Sequence, residues 1–308
     1  MSEPQKDESQ EENTEQDFDA WMKSVQAEME AALLQYLPSQ AEHPQRLHQA
    51  MQYAVLDGGK RVRPLLVFAA GAIFDAPLPE LARASAAVEM IHAYSLVHDD
   101  MPCMDDDALR RGKPTVHVQY DEATGLLVGD ALQAQAFEVL AAGELTSAQQ
   151  LAMVKLLAQA AGSRGMCGGQ AIDLDSVGLK LTLEQLEQMH RLKTGALLRA
   201  SVLLGAMCGK ALSVQETQTL EEYAEAVGLA FQVVDDILDA TADSATLGKT
   251  AGKDAADNKP TYVSILGLEQ SRALAETLRG DAHGALEQFG ETAQRLRELA
   301  DLIVQRKA

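Results

Sequence analysis

The residues with the most evident chemical capacity lie in HDDMPCMDDDALRRGKPT, residues 98–115. Asp99, Asp100, Asp105, Asp106 and Asp107 crowd into one short span, and Arg110, Arg111 and Lys113 follow. Carboxylates at that density repel one another, so a fold keeps them only where solvent or cations take up the charge. Acids followed by bases suit a divalent cation that itself holds a phosphorylated ligand. A second acidic motif, Asp235-Asp236-Ile237-Leu238-Asp239, sets two carboxylates at i and i+4, projecting together from a helix. Alone, it reads equally well as a solvated helix surface flanked by an apolar stripe. Two such motifs, each closing an apolar helix, favour metal binding. Hard divalent ions take carboxylate oxygens, and Mg²⁺ keeps waters and completes its shell with substrate phosphates.

The bases recur in separate places: Gly58-Gly59-Lys60-Arg61-Val62-Arg63-Pro64, Arg110-Arg111, Lys193-Thr194 and Gly248-Lys249. Exposed Lys and Arg are ordinary. On a chain of net charge −20, their grouping beside glycines and acidic motifs points to anion sites. Two diphosphates are implied, one bound through Mg²⁺ and one by cations alone. The excess of acid argues against nucleic acid and against an anionic membrane surface. Without ExxH spacing a di-iron bundle is a poor match, and without a Walker A or a GxGxxG after a strand, nucleotide folds are unsupported. Cys103, Cys167 and Cys208 have no CxxC spacing, so neither a disulfide framework nor a zinc site is indicated and a reducing cytoplasm fits.

Helices must position these groups. Apolar residues make up 46% of the 308 residues but aromatics only 4%, with Ala and Leu recurring throughout, a mixture that favours helix over sheet. Periods of three and four residues predict helices over about 19–36, 44–56, 64–74, 79–100, 120–142, 147–163, 182–208, 215–242, 260–278 and 292–306. Turn chemistry predicts breaks at Leu37-Pro38, Asp57-Gly58-Gly59, Pro77 to Pro79, Arg111 to Pro114, Gly168-Gly169 and Asn258 to Pro260. The expectation is a single all-α domain over 18–308, a helical bundle, preceded by a disordered acidic tail over 1–17. No apolar run reaches the roughly 18 residues a membrane span requires, and the N-terminus is neither a signal nor a transit peptide. His92, Ser95 and Asp99 share one helix face, as do Gly228, Gln232, Asp235 and Asp239. Pro102 resists continuing the helix, so the chain loops near Asp100 and brings Asp105 back beside Asp99.

At this point the motifs resemble those of the short-chain trans-isoprenyl diphosphate synthases of the bacterial farnesyl type. The resemblance runs from about residue 20 to the C-terminus through GGKRVRP, HAYSLVHDDMPCMDDDALRRGKPT, GGQAIDLD, HRLKTGALLRAS and GLAFQVVDDILDATADSATLGKTAGKD. It implies a bundle around a deep cavity, a homodimer, and head-to-tail condensation of isopentenyl diphosphate with an allylic diphosphate. Asp99, Asp105 and Asp235 are implied as Mg²⁺ ligands, with Asp100 and Asp239 supporting; three Mg²⁺ ions are implied, and Mn²⁺ as a substitute. Gly59, Lys60, Arg63, His92 and Arg111 would hold isopentenyl diphosphate. Arg110, Lys193, Thr194, Gln232 and Lys249 would hold the allylic diphosphate, with Lys259 nearby and Asp173 orienting lysines or metal-bound water.

Blander roles compete at several positions. Thr194 could bond its own helix backbone, and His92 could be a satisfied core histidine. Tyr94 and Ser95 share or border the Asp99 face, so a Tyr there could close the cavity and limit product length; as a residue type it also suits a plain core aromatic. The farnesyl product stands beside geranyl and geranylgeranyl alternatives. A class I terpene cyclase would leave Lys60, Arg63 and Arg111 unexplained, and a non-catalytic partner of a prenyl synthase would have let one acidic motif decay.

Overall fold

The computed structural model describes residues 8–56, 58–241 and 259–306, and helices dominate them. In chain order these are α1 (Glu8–Tyr36), α2 (Gln45–Val55), α3 (Val62–Ala72), α4 (Leu78–Asp99), α5 (Val116–Gln119), α6 (Glu122–Ala141), α7 (Ser147–Ala161), α8 (Met166–Asp175), α9 (Leu183–His190), α10 (Ala196–Gly209), α11 (Val214–Thr241), α12 (Tyr262–Leu266), α13 (Leu268–Ala285) and α14 (Gln294–Gln305). The strands among the described residues form one antiparallel hairpin, β1 (Leu109–Arg110) with β2 (Lys113–Pro114).

Local chemistry starts the helices where they start. Asp121 accepts the Thr124 amide at 2.7 Å ahead of α6. Thr182 and Gln185 form a reciprocal capping box at α9, as Thr261 and Ser264 do at α12. Prolines 77 and 79 pre-set the first turn of α4.

Three helices that are apolar nearly all round make the core, as the pattern of a fully surrounded helix requires. Val88, Met90 and Ile91 of α4, Leu66 and Val67 of α3, and Leu197, Val202 and Leu204 of α10 are completely buried. Each such side chain contributes about 1.5–3 kcal/mol relative to exposure. α4 packs along α6, α3 along α10, and α11 along α13. A smaller cluster of Leu186, Met189, Val233, Val234, Tyr262 and Ala275 joins α9, α12 and α13 to the C-terminal half of α11. Within Leu183–Gly209 an 18-residue window has a mean hydropathy of 1.2, and the stretch has the length to cross a membrane. Here it is mostly a core segment, and it carries Arg191, Lys193 and Arg199.

The structure departs from the periodicity in instructive ways. α1 begins at Glu8, so residues 8–17 of the expected disordered tail are helical, and Asp17 pairs with Arg295 at 2.5 Å. Gly168-Gly169, read as a break, lies inside α8. A Cβ at Gly169 would sit 2.1 Å from the Lys193 amide nitrogen, so this glycine permits close helix approach rather than a turn. The helix expected over 182–208 is interrupted by a π-helical turn, Arg191–Gly195.

Candidate active site

One cavity of about 380 Å³ is lined by Gly59, Lys60, Arg63, His92 and Arg111, together with Arg61, Glu89 and Arg306. Every residue the sequence assigns to the metal-free diphosphate thus meets in one place. Arg61, which the sequence reading passed over, accounts for much of the arrangement. It adopts a left-handed backbone (φ 55) and turns its side chain inward. There its Nη1 donates to Glu89 at 2.6 Å, its Nη2 to Glu30 at 2.5 Å and to the Val55 carbonyl at 2.7 Å. With Arg61 fastened to α1, α2 and α4, the flanking Lys60 and Arg63 face the cavity. Arg111 arrives from the β1–β2 hairpin, whose two-residue turn has positive φ at both Arg111 (53) and Gly112 (77), the geometry that matches strand twist. Gly59 makes room for it: a Cβ there would lie 2.6 Å from the Arg111 guanidinium.

This cavity holds more positive charge than it neutralises. Burial pushes the Arg63 guanidinium below its usual range despite nearby Glu89, with Arg111 adding to the depression. Burial and then Arg306 lower Lys60. His92 is held well below the ordinary imidazole value by burial first and then by Arg63 and Arg111. It is therefore a neutral ring among cations. Arg63 Nε is buried and has no hydrogen-bond partner among the described residues. An orphaned buried donor in a cationic cavity matches a multiply charged anion.

A second, smaller cavity of about 130 Å³ is lined by Asp173, His190, Lys193, Thr194, Gln232, Asp236 and Lys259. The π-helical turn carries Lys193 and Thr194, and such turns recur at functional sites. Asp173, from α8, takes Lys193 Nζ at 2.6 Å. Lys259 Nζ lies 3.7 Å from Asp105, linking this cavity to the first acidic motif. Lys249 lies outside the described residues. His190, missed by the sequence reading, stacks on Tyr262 with ring centroids 5.5 Å apart, and burial lowers its pKa to about 4.

The first acidic motif folds as Pro102 dictates. α4 stops at Asp99 and the chain doubles back, so that the Asp105 amide donates to the Asp99 carbonyl at 2.8 Å and the Asp107 amide to the Asp100 carbonyl at 3.1 Å. Burial raises the Asp99 carboxyl to about 6; Lys193 opposes this and Asp105 adds to it. Asp100 forms a forked ion pair with Arg110, whose Nε and Nη2 approach its oxygens at 2.8 and 2.5 Å. Arg110 is thus engaged with Asp100 and lines neither cavity described above.

In the second motif Asp235 pairs with Arg306, whose guanidinium lies 4.0 Å over the Phe231 ring. Asp236 is structural: its Oδ2 accepts the Tyr262 amide at 2.7 Å and so anchors α12. Asp239 is buried farther along α11. Among the described residues no three His, Cys, Asp or Glu side chains form a ready-made metal cage. An all-oxygen donor set in ones and twos fits Mg²⁺, which draws the rest of its shell from water and phosphate.

An all-α bundle with acidic motifs near the ends of two helices and two cation-lined cavities between them defines a diphosphate-handling protein. The polyprenyl synthetase family model matches residues 44–296, and the chain belongs to that family. It is 50% identical to the farnesyl diphosphate synthase of Escherichia coli, covering 84% of this chain and 88% of that one. It is 47% identical to the Haemophilus influenzae farnesyl diphosphate synthase over 94% and 99% of the two chains. Among solved structures, an FPP/GFPP synthase from Zymomonas mobilis superposes with a TM-score of 0.84 at 40% identity, covering 94% of this chain and 99% of that one. A Helicobacter pylori geranyltransferase complexed with magnesium and isoprenyl diphosphate does so with a TM-score of 0.81 at 33% identity, over 92% and 95%.

Proposed function

We propose that this chain is a farnesyl diphosphate synthase, a prenyltransferase that joins isopentenyl diphosphate head-to-tail to dimethylallyl and then geranyl diphosphate. The observation that carries the reading is the pairing of two unlike cavities. One is lined by Lys60, Arg61, Arg63, Arg111 and Arg306 against the carboxylate of Glu89; the other links Lys193 and Lys259 to Asp99 and Asp105.

Each residue type suits its part. Lys60, Arg63 and Arg111, with neutral His92 and Gly59 beside them, hold isopentenyl diphosphate by charge and directed N–H donors. Lys193, Thr194, Gln232 and Lys249, with Lys259 nearby, hold the allylic diphosphate; Asp173 keeps Lys193 in place, and Arg110 steadies Asp100. Asp99, Asp105 and Asp235 hold the metal ions, supported by Asp100 and Asp239. Bound Mg²⁺, three ions by our reading and replaceable by Mn²⁺, supplies electrostatic stabilisation of the charge that develops on the leaving diphosphate. Fixed lysines share that charge. The apolar walls exclude water from the allylic cation until the alkene of isopentenyl diphosphate attacks. The departing diphosphate takes the last proton, so no separate side-chain base is needed.

The chain functions as a cytoplasmic homodimer in this reading, and Tyr94 limits product length. A longer product is the second reading, favoured by the 45% identity to a geranylgeranyl pyrophosphate synthase of Arabidopsis thaliana. Purified protein given Mg²⁺, isopentenyl diphosphate and each allylic diphosphate in turn should release farnesyl diphosphate as its main product, with none formed in excess chelator. No chain extension from any allylic substrate would refute the reading.

A further inference from the structure

Among the described residues that line the larger cavity, Glu89 alone carries negative charge, set against Lys60, Arg61, Arg63, Arg111 and Arg306. A carboxylate in the wall of an anion site opposes the ligand the site is built for. Glu89 is buried, only 4% exposed, on α4 one turn before His92. Its Oε1 accepts Arg61 Nη1 at 2.6 Å. Arg61 is also held by Glu30, which takes its Nε at 3.0 Å and its Nη2 at 2.5 Å, and by the Val55 carbonyl. Glu30 thus already balances that guanidinium, and a neutral acceptor at position 89 would serve the remaining N–H. Arg63 and Arg111 both feel the Glu89 charge. Among the described residues, however, Glu89 forms its ion pair with Arg61 and with neither of them. Its charge is therefore not spent on fastening Arg61, and it acts on whatever occupies the cavity.

The chemistry of elongation supplies a reason for it. The allylic carbon that bore the diphosphate joins the terminal alkene carbon of isopentenyl diphosphate. The electron pair of the broken C–O bond leaves with the allylic diphosphate, which also takes the proton lost beside the new bond. The diphosphate of the elongated product is therefore the one that entered with isopentenyl diphosphate, and it ends the step in the larger cavity. A second condensation needs that group at the carboxylates, so it must leave the cations that bound it. Five cations without a counter-charge would hold it back. We propose that Glu89 sets the grip of this cavity, weakening its hold on diphosphate enough for the elongated chain to leave after each condensation. The proposal rests on the chain-elongating reaction described above. The competing account is that Glu89 is only a counter-ion that lets the buried Arg61 fold.

Glu89→Gln removes the charge and keeps an oxygen for Arg61. Calorimetric titration of the full-length protein with isopentenyl diphosphate should show binding tightened by about tenfold, the order of magnitude for one charge across such a cavity at an effective dielectric of about 20. Glu30→Gln removes an equal charge from the other side of Arg61, at a residue outside the cavity wall. Its binding should stay within about twofold of the parent. With Mg²⁺ and dimethylallyl diphosphate, the first condensation in a single turnover of Glu89→Gln should stay within about twofold. Its steady-state turnover should fall by about tenfold, because departure from the cavity becomes limiting. A dissociation constant unchanged or raised in folded Glu89→Gln overturns the proposal and leaves Glu89 a counter-ion. Tightened binding with unchanged steady-state turnover overturns the release role. If circular dichroism shows Glu89→Gln unfolded, Val62→Lys adds the same net charge to the same wall. Tighter binding with slowed steady-state turnover then supports the proposal, and tighter binding with unchanged turnover overturns it. A parent that binds isopentenyl diphosphate but extends no allylic substrate overturns the reaction and the release role with it, while the titration still decides the grip.

Discussion

At the end of α4, Asp99 is half-buried beside Asp105 and Asp100, and its carboxyl is pushed up to about 6. Along α11, Asp235 already holds Arg306 and Asp236 already holds a backbone amide. The two motifs look alike as strings of aspartates, but their charge is answered differently. The first concentrates negative charge that Lys193 and Arg110 only partly offset, which is the condition under which a divalent cation gains most on binding. In the second, one carboxylate anchors structure and another pairs with an arginine that also borders the cation-rich cavity. Similar residue types in sequence therefore conceal unequal work.

Removing the proposed metal ligands should have the largest effect. Asp99→Ala and Asp235→Ala should each lower turnover by about a thousandfold or more, because each removes a ligand whose charge matters most in the transition state. Circular dichroism should show the fold intact in both. If Asp235→Ala instead stays within a few-fold of the parent, the second motif is not a metal site.

The two cavities should separate kinetically. Lys60→Ala and Arg63→Ala should raise the Michaelis constant for isopentenyl diphosphate by about 10- to 100-fold, while Lys193→Ala mainly lowers turnover. Steady-state kinetics with each substrate varied would expose a wrong assignment: all three would then raise the constant for the same substrate.

Arg61 sharpens the same contrast through stability. Its side chain is buried between Glu30 and Glu89, so Arg61→Ala strips Glu89 of its hydrogen-bonded partner and should cost about 3–5 kcal/mol. Urea unfolding measures that loss. Arg61→Lys, which cannot reproduce the fork, should recover only part of it.

A smaller effect follows from His190 in the second cavity. Its folded pKa of about 4 lies below the ordinary value of 6.5, so the unfolded chain binds the proton first as pH falls. The stability this neutral ring permits is complete above pH 6.5 and is lost progressively as pH falls toward 4. The loss should not exceed ~3 kcal/mol. Unfolding midpoints at both ends of that window should converge in His190→Gln; an unchanged slope would place the dependence on other groups.

Much of this was legible in the residue order. The helical periods located the bundle, and Pro102 foretold that Asp105 would return beside Asp99. The expected cations of one cavity lie close in sequence, with Gly59 and Lys60 just ahead of α3 and Arg63 in its first turn, while His92 shares a helix face with Asp99. What escaped depended on tertiary contact. Nothing in GGKRVRP says which of three cations turns inward; that is decided by Glu30 and Glu89, distant in sequence. Gly168-Gly169 reads as a turn until Lys193 is seen against its backbone. The Arg111-Gly112 pair was a usable hairpin signal that the helical pattern obscured. Arg306 carries no motif at all, and only the packing of α14 brings it to Asp235.

The central claim is that one diphosphate is held through metal and the other by fixed cations alone. Calorimetric titration tests it with two ligands that cannot react on their own: isopentenyl diphosphate, and a non-hydrolysable thio analogue of geranyl diphosphate. Replacing Mg²⁺ by excess EDTA should weaken the analogue by about 100-fold or more, because its phosphates complete the metal shell. Isopentenyl diphosphate should change by less than about threefold, held by charge-assisted hydrogen bonds that need no metal. Loss of both ligands together in EDTA, or retention of both, would contradict the division of the site.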